Sequence, residues 1–133
     1  MKMTLLTRLL KAAGAAILMA GTASAAPADI LPLKHGRYVN AETPCREASR
    51  ATTVPFNGRG FDLSDNGCRY ASRKIGANRY AVSADCTNVG EGKSADIYEI
   101  HSLTQFTIKA DGIVRRWCDP MTLPSWARTF PVP

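Results

Sequence analysis

Four cysteines, Cys45, Cys68, Cys86 and Cys118, are spread along the chain with no two closer than 18 positions. No other feature limits so strongly what the chain can become. Zinc ligands come paired two to four residues apart or beside histidines, and His35 and His101 stand near none of these cysteines. There is no C-x-x-C, so thiol exchange lacks its motif. An even count in a small exported domain reads instead as two disulfides.

Export is indicated by the N-terminus. Lys2, Arg8 and Lys11 precede a short apolar run, and "ASAA" places small residues at Ala23 and Ala25. This is the pattern of a signal peptide, residues 1–25, cleaved between Ala25 and Ala26. The apolar run is shorter than the roughly 20 residues that span a bilayer. Residues 26–118 are expected to form one disulfide-bonded β domain, and 119–133 a proline-rich C-terminal tail. The whole chain carries a net charge of +6, and losing the three signal-peptide bases leaves +3. That is too weakly basic to imply nucleic acid, but it is compatible with an anionic envelope component or an acidic protein partner. A monomer without a transmembrane segment is expected.

The stretch "CRYASRKIGANRYAVSADC" reads as a stapled hairpin. A loop of Gly76, Ala77 and Asn78 centred on Ala77 sets Cys68 opposite Cys86 and Arg69 opposite Asp85. Even positions then share an apolar face with both cysteines, while odd positions display Arg69, Arg73 and Arg79. This favours Cys68–Cys86, leaving Cys45–Cys118; the rival pairing, Cys45–Cys68 with Cys86–Cys118, stays open.

The remaining segments are short and β-prone. "GRYVNAE" reads as a strand, and "TPCREASRA" as one or two helical turns beginning at Thr43 and Pro44. Asn57-Gly58 marks a turn, and Pro55 confines the strand before it to an edge. "DIYEIHS", "LTQFTIKA" and "IVRRWC" read as further strands. In the last of these Trp117 and Cys118 cannot both point to one core. The fold expected is mainly β: a small antiparallel barrel or sandwich of seven or eight strands, with one short helix and two disulfides. Trp126 and Phe130 in the tail are expected to plug one end of it.

Chemistry is sparse. Glu99 and His101 share a strand face, the nearest approach to an acid–base pair, and read better as the polar face of an edge strand. "NVGEGKSA" is not a phosphate-binding loop. No catalytic set, cofactor or metal site is expected. Binding is the stronger class, through Arg69, Arg73 and Arg79, with Arg115 or Arg116 extending that face. The Gly90–Asp96 loop, with Glu91, Lys93 and Asp96, is a second candidate.

The order "GRYV", "TPC", "NGCR", "RWC" and the closing "LPSWAR" resembles short exported proteins of alphaproteobacteria. In architecture the chain is also similar to periplasmic inhibitors of C-type lysozyme, small barrels that push a Ser-Gly-rich loop into the lysozyme cleft. Their S-x-S-G-x-[KR]-Y loop is absent, and "NGCRY" shares only Gly67, Arg69 and Tyr70 with it. The expected function is that of a non-catalytic, exported binding protein of the cell envelope, periplasmic or secreted. The alternatives are a lysozyme-inhibitor-like protein or a small-ligand carrier, since a barrel of about eight strands can just hold one small ligand.

Overall fold

Seven short segments become strands because each can lay at least one apolar side chain against a core. The computed structural model describes residues 28–62 and 67–129. The signal peptide, Ser64 and Phe130 lie outside them. The strands are β1 (Gly36–Asn40), β2 (Thr53–Phe56), β3 (Arg69–Lys74), β4 (Arg79–Asp85), β5 (Lys93–Ser102), β6 (Gln105–Ile108) and β7 (Val114–Cys118). They form one antiparallel sheet in the order β2-β1-β7-β6-β5-β4-β3, curled into a half-barrel. Pro55 lies in the edge strand β2, where its missing N–H breaks no ladder. The β3–β4 register pairs Arg69 with Asp85 and Lys74 with Tyr80, as a three-residue loop at 76–78 requires.

Two expectations about the elements are corrected. In place of one short helix, the chain after β1 makes two single 3₁₀ turns, Cys45–Glu47 and Arg50–Thr52. Ala48, between them, is extended at ψ 134°, which prevents a continuous helix. The segment from Lys93 to Asp96 is not loop but the start of β5, with Lys93 opposite Asp85 and Asp96 opposite Val82. The true connection is 86–92, where the Cys86 amide donates to the Gly92 carbonyl at 2.7 Å. Gly90 and Gly92 supply its positive φ values of 81° and 76°.

The inner face of the sheet holds the larger core. Tyr38, Phe56, Val82, Tyr98, Ile100 and Phe106 come from the strands, while Leu31 and Leu33 come from the chain before β1. That lead crosses the open side of the half-barrel: the Ile30 amide donates to Gly58, the Lys34 amide to Leu103, and the Ser72 hydroxyl to the Ile30 carbonyl. Phe61, beyond the Asn57 turn, belongs to no strand yet meets the rings of Phe56, Tyr70, Tyr98 and Phe106 at 5.2–5.9 Å. Rings thus close the half-barrel where an eighth strand would otherwise be needed.

A second, smaller core lies on the outer face over β1 and β7. Val39, Ala48, Cys118, Leu123 and Ala127 are all nearly inaccessible there. The tail is therefore docked against the sheet, not an appendage to it. Its Trp126 does not plug the barrel; it lies on this outer side, 40% exposed, with the Arg37 and Arg50 guanidinium carbons 5.7 and 5.4 Å from its ring. Arg37 holds the tail by donating from Nε to the Ala127 carbonyl at 2.9 Å.

Both disulfides favoured by spacing are formed. Cys68–Cys86 closes the β3–β4 hairpin, and Cys45–Cys118 ties the first 3₁₀ turn to the end of β7 across 73 positions. By loop entropy they contribute about 3 and about 4 kcal/mol respectively. Among the described residues no helix is long and apolar enough to cross a membrane.

Candidate binding site

The outer face over β3, β4 and β5 is built in cross-strand rows. Arg69, Asp85 and Lys93 make one row; Ala71, Ser83 and Ala95 the next; Arg73, Ala81 and Ile97 the third; Arg79, Glu99 and Thr107 the fourth. The arginines expected on one face are indeed on it, but acids alternate with them. Asp85 accepts from the Thr87 hydroxyl at 2.7 Å and from its amide, which holds its carboxyl below the ordinary range, with Lys93 and Arg69 adding to the effect. Arg79 is half-buried, its Nε without a partner among the described residues. Arg69, Arg73 and Lys93 are exposed around the shallow Ala71–Ser83–Ala95 row.

The two neighbouring arginines do not extend this basic face. Arg115 points inward, is 8% exposed, and forms a two-bond pair with Asp111 at 2.6 and 3.2 Å. That guanidinium holds the Asp111 carboxyl below its usual range. Arg116 is on the outer face but is occupied: it donates to the Thr43 carbonyl at 2.6 Å and contacts the Cys45 sulfur at 2.7 Å. It braces the loop that carries the disulfide.

Glu99 and His101 share the outer face as expected, but β5 is an interior strand, not an edge. Glu99 faces Arg79 and Thr107 across the ladders, and the His101 ring bonds the Thr107 hydroxyl at 2.8 Å. No hydrogen bond joins Glu99 to His101 among the described residues.

On the inner face the hairpin end opens into a recess of about 390 Å³ that strand alternation alone did not disclose. Tyr70, Tyr98, Glu91, Asp96 and Asp111 border it, and the Cys68–Cys86 disulfide and Val82 line its wall. Of the three residues once grouped in a loop, Glu91 and Asp96 come together here, while Lys93 turns to the outer face opposite Asp85. Burial raises the Tyr70 and Tyr98 phenols above their ordinary range, and Asp62, Glu91 and Asp96 reinforce this. Both stay protonated across the physiological range. Glu91 also approaches the two cysteine sulfurs. Joined to each other, those sulfurs are not thiolates and offer no soft metal site.

No family model, curated protein or solved structure matches the chain. The "NGCRY" resemblance divides in space: Arg69 points outward and Tyr70 inward, so that motif is not one surface here. The inner space is largely occupied by its own rings, Tyr38, Phe56, Phe61, Tyr98 and Phe106. The openings among the described residues include the recess at the hairpin end and a shallow, mainly apolar groove of about 610 Å³ beside Ile30, Pro32 and Leu103.

Proposed function

We propose that the protein acts by binding, not catalysis, as an exported component of the cell envelope, periplasmic or secreted. Two disulfides support an oxidising compartment. One observation carries the binding reading. The outer face of the sheet is covered by the tail over β1 and β7, yet over β3, β4 and β5 none of the described residues covers it. There Arg69, Arg73 and Lys93 stand exposed around a row of small side chains. Forked guanidinium donors beside a flat trough suit a carboxylate- or phosphate-bearing surface of an envelope partner. The test is capture from envelope extract with oxidised protein, comparing it with an Arg69→Glu/Arg73→Glu/Lys93→Glu variant. Arg79 is left intact because its half-buried stem serves the fold. A partner held by the wild type, released by added salt and absent from the variant identifies the ligand of this face. Equal capture by both proteins removes the outer face from consideration.

A further inference from the structure

We propose that the recess at the hairpin end is a second binding site, one that takes an ammonium or guanidinium group carried on an apolar stem. It lies on the opposite side of the sheet from Arg69 and Arg73 and stands independently of the reading given to the outer face.

The charge balance of the recess selects the sign of the ligand. Three carboxylates border it, but Arg115 occupies both oxygens of Asp111 and neutralises that group. Glu91 makes no side-chain hydrogen bond or ion pair among the described residues. Among the described residues Asp96 accepts only from the amide of Ile97, at 2.7 Å through Oδ1, which leaves its other oxygen open. Two uncompensated acids therefore converge in a protein whose overall charge is +6.

A separate observation points to a ligand. Tyr98 is nine-tenths buried and its ring stacks on Phe106, yet its hydroxyl has no hydrogen-bond partner among the described residues. Tyr98 borders the recess, and the Asp96 and Asp111 carboxylates that also border it act on its phenol. A phenol so buried and without a bonded partner is a polar group that a ligand can satisfy. An ammonium has three donors to distribute among the Tyr98 oxygen, Glu91 and Asp96. The Tyr70 ring supplies a π surface that adds to cation binding.

Size and lining select the rest. The volume of about 390 Å³ falls in the range of small-molecule pockets and exceeds what a bare metal ion fills. Val82, Ile108 and the disulfide give an alkyl stem an apolar wall. The same chemistry is met in a free aliphatic amine and in a lysine side chain of a protein partner.

The test is NMR titration of the oxidised protein with hexylamine, with hexanol as the uncharged control, and with calcium chloride. Hexylamine is expected to give saturable shifts at Tyr70, Tyr98 and Glu91, and hexanol none. Glu91→Gln/Asp96→Asn should weaken binding at least about tenfold. Tyr98→Phe, which keeps the ring and the fold, should also weaken it. Tighter binding of a lysine-containing hexapeptide than of hexylamine would assign the site to a protein partner, and equal binding to a free amine. Shifts of the same size with hexanol, saturation by calcium in place of the amine, or full affinity in the double variant would each overturn the proposal.

Discussion

Trp117 and Cys118 are neighbours in the chain and pack into two different cores. Trp117 joins the inner core against Tyr38, donating from Nε1 to the His35 carbonyl at 3.0 Å, with Lys34 Nζ 3.6 Å from its ring centroid. Cys118 is 1% exposed in the outer core and bonded to Cys45. The end of strand β7 is thus packed on both faces, unlike β3, which is exposed on one.

The long disulfide should matter more than the short one. Cys45→Ala/Cys118→Ala is expected to lose about 4 kcal/mol, and Cys68→Ala/Cys86→Ala about 3 kcal/mol, because the first closes the longer loop. Urea unfolding of the two variants ranks them. The reverse order would place the stabilisation in the hairpin's local geometry.

Asp111→Asn should cost about 1–3 kcal/mol by leaving the Arg115 guanidinium inside without its counter-ion. The value falls below that of a fully buried pair because the Asp111 side chain is 36% exposed. The folded-state pKa of Asp111 is depressed, so its contribution is complete above the unfolded value near 3.8 and is lost as pH falls through the lower folded value. Wild-type stability measured from pH 6 down to about 2 should therefore fall more steeply than that of the variant. Parallel curves would show that the pair contributes nothing through ionisation.

Phe61→Ala should cost about 3–5 kcal/mol although the residue lies outside every strand. Four rings lose a common neighbour at once. Thermal unfolding checks it, and a loss below about 1 kcal/mol would mean that Phe61 caps the core without closing it.

Leu123→Ala should cost about 2–4 kcal/mol, since this tail side chain is 2% exposed against the sheet. Proteolysis should then release the tail from the variant and spare the wild type. A tail equally protected in both would place its anchoring in the Arg37–Ala127 hydrogen bond instead.

Much of the hairpin was legible because its information is local. Alternation at 68–86 and a centre at Ala77 are enough to set register, and register brings Cys68 to Cys86. Pro55 likewise announced an edge strand by its missing donor. The candidate site was less legible. Arg69, Arg73 and Arg79 could be placed on one face, but Asp96 looked like an acid of the same loop as Glu91 because Gly90 and Gly92 open that segment. That Asp96 turns inward to join Tyr70, Tyr98 and Asp111 depends on β5 starting at Lys93, a pairing with β4 that nothing in "EGKSAD" reveals.

By itself the sequence determined the class, the hairpin register and the favoured disulfides, since periodicity and turn residues act over a few neighbours. The tertiary structure alone decided that Phe61 and the 28–34 lead close the half-barrel, and that the tail covers the outer face instead of plugging an end. It also decided that Arg115 turns inward to Asp111 while Arg116 clasps the outer loop. The reason is physical: whether an apolar or charged side chain at a given strand position is buried depends on which distant segment covers that face. Such coverage is set by competition among long-range contacts, which no local pattern encodes.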